Sequence, residues 1–273
     1  MRLLFEFYDR FEYIFRISIP LFAFIVGFII SKLRYRKSNG KIRSVLSLTK
    51  DDSSIIIPIW EGTGIVEESR PSRKCMLYKE SFIIHEIKTT VNDIFKSKFA
   101  AKFEGIVDSS TLLNPQNNHF YFGGYHPHAN VYRLLKQYCS NVKFSCDESK
   151  YENHKHKDVL YPCTHEGDIR HIKIDDFVFS YDCVKEGYVI LIKLTNKVLK
   201  DNERGTVHIC FGNSATATLA SAQCFNRHRV ELYNRLKKRK IFYFAIMKCY
   251  SNGEIDFTSF KDITDKVFIN HTV

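Results

Sequence analysis

Apolar positions run almost unbroken through residues 13–31 (YIFRISIPLFAFIVGFIIS) and stop at the basic hexapeptide KLRYRK. Ile, Phe, Leu and Val occupy every angular position of a helix drawn through this segment, whereas a soluble core helix carries an apolar stripe and a polar face. The uncharged part, residues 17–31, is fifteen residues long, short against the ~20 that cross a hydrocarbon core. Tyr13, Ile14 and Phe15 make up the length if Arg16 extends its guanidinium to the headgroups. Pro20 kinks the span or marks its first turn, and Gly27 lies inside it. A cleaved signal peptide fits poorly, because the polar lead is long and Lys32, Arg34, Arg36 and Lys37 stand where small residues would be needed. The pattern therefore predicts a transmembrane helix over 13–31. The preceding residues 1–12 (MRLLFEFYDRFE) mix apolar and charged positions as a short interfacial lead-in.

Beyond the span the period changes. Residues 32–52 read as a basic juxtamembrane connector with Ser38-Asn39-Gly40 as a turn signal. Residues 54–60 (SIIIPIW) are a continuous apolar run of the kind found in a buried strand, and they break into Glu61-Gly62-Thr63-Gly64. Leu77, Ile84, Ile87, Val91, Ile94 and Phe95 then recur at three- and four-residue intervals, which predicts a helix within 76–99. A second unit repeats the plan, with the strand Phe120-Tyr121-Phe122, a Gly123-Gly124 turn, and a helix whose buried stripe is Val131, Leu134, Leu135 and Tyr138. Residues 139–171 are irregular and polar. Residues 177–181 and 188–194 read as an antiparallel pair joined by a turn around Glu186-Gly187. A third unit places a strand at 206–211, a Gly212-Asn213-Ser214 turn, a helix over 215–235 and a further strand at 241–247. Three strands that each end in a glycine-containing loop and lead into a helix predict an α/β domain over 53–273. Its sheet is expected to be three-layered and mostly parallel, with some antiparallel strands.

Charge sets the expected orientation. Arg2, Arg10 and Arg16 precede the span, whereas Lys32, Arg34, Arg36, Lys37, Lys41, Arg43 and Lys50 follow it. The positive-inside rule then puts the C-terminal domain in the cytoplasm. Eight cysteines without a CxxC pair or an even framework suit free thiols in a reducing compartment. The formal net charge of +11 comes partly from the juxtamembrane cluster, which would sit on anionic lipid at roughly 1 kcal/mol per basic residue. The run Lys237-Lys238-Arg239-Lys240 follows a predicted helix and reads as a solvated helix terminus.

In open α/β sheets, ligands bind beyond the carboxyl ends of the strands, where helix N-termini offer free N–H groups. Three turns should converge there: Trp60, Glu61, Gly62 and Gly64; Gly123, Gly124 and Asn130; and Gly212, Asn213, Ser214 and Thr216. Glycines admit close approach of a ligand, and the Asn, Ser and Thr side chains are suited to phosphate or ribose hydroxyls. The same residues also make ordinary turns and helix caps. Neither GxGxxG nor GxxxxGK[ST] is present, so a standard dinucleotide or Walker-type site is not supported. Cys139, Cys146, His154, His156, Cys163 and His165 lack the paired spacing of a structural zinc site, so no metal is expected. No cofactor is expected either. Glu61, Asp108, Glu166, Asp175 and Asp176 are carboxylates outside any diagnostic motif, and Cys210 and Cys224 sit where a thiol is usually inert core. No catalytic group is assigned, and an enzyme is the less favoured reading.

The segment YIFRISIPLFAFIVGFIISKLRYRK, together with the turns FGGYHPHAN and CFGNSATATLASAQCF, resembles the plan of bacterial membrane-anchored antiphage-defence effectors. These accompany retrons or cyclic-oligonucleotide signalling systems. The two turns are similar to those of a Rossmann-like module. The resemblance implies a single-pass protein of the cell inner membrane in contact with anionic lipids. Its cytoplasmic domain would bind a nucleotide-like signal, or a defence-system partner protein or nucleoprotein. It would act as a homo-oligomer whose transmembrane segments perturb the membrane. The alternative is a membrane-tethered enzyme acting on a nucleotide or NAD-like substrate at the same cleft.

Overall fold

The computed structural model of the chain describes residues 2–48, 53–62, 73–75, 78–95, 99–105, 118–123, 129–139, 141–143, 165–166, 169–174, 176–195, 198–199 and 205–267. The elements run α1 (Arg2–Leu46), β1 (Ser53–Gly62), β2 (Arg73–Cys75), α2 (Tyr78–Phe95), β3 (Phe99–Gly105), β4 (Asn118–Phe122) and α3 (Ala129–Tyr138). They continue with β5 (Val142–Lys143), β6 (His165–Glu166), β7 (Ile169–Ile174), β8 (Phe177–Asp182), β9 (Glu186–Leu194) and β10 (Val207–Gly212). The chain closes with α4 (Ala215–Asn226), α5 (Arg229–Leu236), β11 (Phe242–Tyr250), β12 (Ile255–Asp262) and α6 (Thr264–Val267). It is a mixed α/β fold with an apolar helix at its N-terminal end.

That helix does not stop where the apolar run stops. α1 is 45 residues long, or about 68 Å at 1.5 Å per residue. Its 29-residue stretch Ser18–Leu46 is long and apolar enough to cross a membrane. Ile19, Leu21, Phe22, Phe24, Phe28 and Ile29 are all exposed, as are Lys32, Arg34, Arg36 and Lys37. The turn signal Ser38-Asn39-Gly40 is overridden and the helix runs straight through it. The reason is tertiary: Ile42, Val45 and Leu46, one turn further on, are fully buried in the α/β core. Gly40 faces open space. Gly40→Ala should therefore stabilise the fold by about 1 kcal/mol, the helix-propensity difference between the two residues, read as a raised urea midpoint at constant slope.

The main sheet has the order β3-β1-β4-β10-β9-β11-β12, with β2 paired to the far end of β1. β3, β1, β4 and β10 are mutually parallel. β9, β11 and β12 continue the sheet through antiparallel pairings. The sheet is thus divided into a parallel half and an antiparallel half, a more even mixture than the expected mostly parallel sheet. β9 explains the difference. It enters between β10 and β11, which both run opposite to it, so the β10-α4-α5-β11 crossover spans one intervening strand.

β8 and β9 do not form the hairpin that their alternation predicts. β8 pairs with β7 in a second, four-stranded antiparallel sheet with β5 and β6, whereas β9 joins the main sheet. The turn lies at residues 183–185, held by Asp182 Oδ1 accepting from the Val184 and Lys185 N–H groups. The two strands meet face to face instead, with Tyr181 and Tyr188 packed edge-on at 5.4 Å. Both faces of β9 are buried, which accounts for the apolar run from Tyr188 to Ile192.

Each face of the main sheet has its own core. One contains the α3 stripe Val131, Leu134, Leu135 and Tyr138, with Ile172, Ile174 and Phe179 of the small sheet. The other contains Ile83, Ile87 and Val91 of α2, Ala217, Cys224 and Phe225 of α4, Leu232 and Leu236 of α5, and the end of α1. The helices that follow β1 and β4 therefore lie on opposite faces. The single helix expected over 215–235 is two, because His228 leaves helical geometry at φ −106°, ψ 24°. The break is where polar side chains tie the helical layer together. Arg227 pairs with the buried Glu86 of α2 at 2.5 Å, and Asn226 Nδ2 donates to the same carboxylate at 2.6 Å. Arg229 donates to Asn226 and to Asn39 of α1.

Candidate functional site

The parallel register brings two of the three expected turns to one rim. Gly123 follows β4 directly beside β10, and its N–H donates to the Cys210 carbonyl at 3.1 Å. Gly123 has φ 111°, a left-handed conformation that a side chain would strain. Gly212 ends β10 on the same side. β1 overshoots: Ile56 stands level with Tyr121, so Trp60, Glu61 and Gly62 extend roughly four residues past the rim and pair with β2. Asn130 begins α3. Gly64, Gly124 and Asp108 lie outside the described residues, as do Cys146, His154, His156 and Cys163.

The Gly212–Thr218 turn is tightly built. Ser214 is the N-cap of α4, its hydroxyl oxygen accepting from the Ala217 N–H at 3.1 Å. Asn213 Oδ1 accepts from the Tyr188 N–H at 3.1 Å, which ties the turn to the start of β9. The Gly212 N–H donates to Thr218 Oγ1. Thr216 packs near Gly253 in the β11–β12 turn. The acceptor oxygens of Asn213 and Ser214 are thus engaged by backbone, and the donor capacity of the two side chains lies in the Ser214 hydroxyl proton and the Asn213 amide nitrogen. A half-buried ion pair between Glu186 and Lys248, 2.7 Å, flanks the same rim. A Cβ on Gly212 would lie 2.4 Å from Ala217 Cβ and 2.5 Å from the Tyr188 carbonyl oxygen. Gly212→Ala must push α4 off the strand, and a loss of about 2–3 kcal/mol is expected, in the range of overpacked cores; thermal denaturation measures it.

Cys210 and Cys224 are fully buried, and burial raises both far above the ordinary thiol range. Asp176 is exposed and pairs with Lys266 at 2.7 Å. The basic run 237–240 is only partly solvated: Arg239 bonds Asp262 and Asp265, and the Arg239 and Lys240 carbonyls point inward. Among the described residues no cluster of three His, Cys, Asp or Glu side chains is arranged to hold a metal.

The inward carbonyls lead to the polar group that sequence reasoning missed. At the edge opposite the Asn213 turn, Lys193 is fully buried in the middle of the sheet. Its Nζ lies within hydrogen-bond distance, 2.9–3.0 Å, of the Val45, Arg239 and Lys240 carbonyls and of Ser47 Oγ, so its three N–H groups are shared among four acceptors. It also sits 5.1 Å from the Tyr243 ring centroid. Burial pushes the amine down to about 7, while the carbonyl oxygens around it pull the other way. His208 is its cross-strand neighbour. His208 Nε2 lies 2.9 Å from the Leu46 carbonyl, so Nε2 carries the proton and donates. The imidazole is stacked on Phe120 at 4.8 Å. Burial first, and then the Lys193 charge, push it down to about 3, against a smaller upward effect of the Leu46 carbonyl. Both residues had a legible signal, a lone ionisable side chain inside an apolar strand run (YVILIKL and VHICF). No family model matches the chain, and no curated protein sequence matches it either.

Proposed function

We propose that the protein is a membrane-anchored sensor and effector of the bacterial antiviral-defence kind. Its Rossmann-like α/β domain binds a nucleotide-like signal or a partner at the rim of the parallel strands. Its N-terminal helix, clustered with those of other copies, perturbs the inner membrane, with the α/β domain on the cytoplasmic side. The observation that carries this reading is α1 itself. An apolar segment exposed on every side, followed by an exposed basic cluster, passes without a break into the core of a folded domain. Exposing that much apolar surface to water is strongly unfavourable, and a bilayer removes the cost.

The rim is supported by topology. Numbered along the chain, the parallel strands stand in the order 2-1-3-4, and the helices after β1 and β4 lie on opposite faces. β1 and β4 thus flank a topological switch point, the position at which open α/β sheets bind ligands. The energetic requirement on a signal is only that it prefer the assembled state.

The test is membrane potential in bacterial cells expressing either the full chain or residues 32–273. Depolarisation with the full chain alone is the expected result. Toxicity from both without depolarisation would overturn the effector role of the helix and favour chemistry at the rim.

A further inference from the structure

A helix end leaves its last carbonyls without intrahelical partners, and a helix joined to a domain by a loose linker leaves them to water. The end of α1 is different. The Val45, Leu46 and Ser47 carbonyls are taken by Lys193, His208 and Thr206, at 2.9, 2.9 and 2.8 Å. All three donors stand on β9, on β10 or at the first residue before β10. Lys193 Nζ simultaneously holds the Arg239 and Lys240 carbonyls, so a single amine ties α1, the sheet and the α5–β11 connection. Ser47 ends the helix in the left-handed region at φ 50°. Its N–H closes onto the Arg43 carbonyl, and its hydroxyl is placed between Ser44, Lys193 and Lys240. Further up, Asn39 is bonded by Arg229, and the Tyr35 ring lies 5.8 Å from the same guanidinium.

From these contacts we infer that Lys193 is a positioning residue that joins α1, β9 and β10 into one rigid body, so that the sheet aims the apolar segment instead of merely tethering it. The distance left for flexibility is small. From Ser31, where the apolar run ends, to Ser38, where α1 begins to be covered by the domain, is seven residues of continuous helix, about 10 Å. The same two strands carry the Asn213–Tyr188 bond at their other end, five residues from His208 and Lys193 respectively, or about 17 Å. The inference deepens the proposed role of α1. It rests on that reading only for its consequence, that an event at the rim reaches a bilayer. The joint itself is measurable without reference to a signal.

The experiment is amide hydrogen exchange on the full chain in vesicles of phosphatidylethanolamine and phosphatidylglycerol. Amides 42–48 are expected to exchange in step with those of β9 and β10, as one cooperative unit. In Lys193→Met, their exchange should accelerate by at least about 100-fold relative to β1 and β4, a ratio that a uniform loss of stability leaves unchanged. Thr206→Val removes one bond of the joint and should give about a tenfold change in the same ratio, which keeps the test decisive if Lys193→Met does not fold. Wild-type amides 42–48 that exchange far faster than β9 and β10 would overturn the inference, as would an unchanged ratio in the folded variants. Residues 18–31 report separately: if the vesicles leave them unprotected, the membrane role fails while the joint stands.

Discussion

Lys193→Met should lower the unfolding free energy of the full chain by about 3 kcal/mol or more. Methionine matches the length and much of the volume of lysine, so the cost is one of polar partners and not of a cavity. The buried Val45 carbonyl and the part-buried Arg239 carbonyl lose their shared donor, and the part-buried Lys240 carbonyl is left with the Ser47 hydroxyl. An unsatisfied buried group costs roughly 1–3 kcal/mol. Against this stands relief from burying a cation, which can make replacement of a whole buried ion pair favourable. That relief wins only when the partners are replaced as well, and here they are backbone atoms that stay. A urea titration followed by circular dichroism decides the matter. A midpoint within the equivalent of 1 kcal/mol of wild type would mean that the carbonyls find other donors and that Lys193 is not what holds the end of α1.

Acid should loosen the same joint before it touches the rest of the fold. His208 is held down to about 3 in the folded chain and returns to its ordinary 6.5 on unfolding. The unfolded state therefore binds the additional proton below pH 6.5, and stability falls as pH falls from there. The slope approaches 1.4 kcal/mol per pH unit, about 2 kcal/mol between pH 6.5 and 5. The groups facing the imidazole reinforce this sign: Lys193 disfavours a second cation, and Phe120, Phe225 and Tyr243 offer no counter-charge. The lowered carboxylates Asp176, Asp256 and Asp265 start from 3.8, so they lose their contribution at lower pH. His208→Gln keeps a donor for the Leu46 carbonyl without a titration in this window. The stability difference between wild type and His208→Gln should be flat above pH 7 and shift against wild type as pH drops to 5. A difference that stays flat to pH 5 would show that the imidazole is reached by water in the native state.

Much of this architecture is legible in local pattern. The almost unbroken run in residues 13–31 leaves no polar face, and that alone predicts an apolar helix with nothing of its own chain to cover it. The strand runs at 54–60 and 206–211 and the helical stripe at Val131, Leu134, Leu135 and Tyr138 stand in the chain as their periods predict, because both faces of a central strand and one face of its helix must be apolar to fill the two cores. The Ser214 cap follows from local chemistry in the same way.

Tertiary structure decided what depends on partners distant in the chain. Whether Ser38-Asn39-Gly40 turns or stays helical is settled by the burial of Ile42, Val45 and Leu46, worth more than the propensity cost of one glycine. Whether residues 177–194 make a hairpin or divide between two sheets is settled by β7, β10 and β11 offering each strand a better partner than its neighbour, a choice that alternation cannot express. Lys193 and His208 are visible in the sequence as ionisable residues in apolar strands, but their acceptors on α1 lie 148 and 162 residues away. A local pattern records the environment that each residue needs, whereas only the folded chain supplies it.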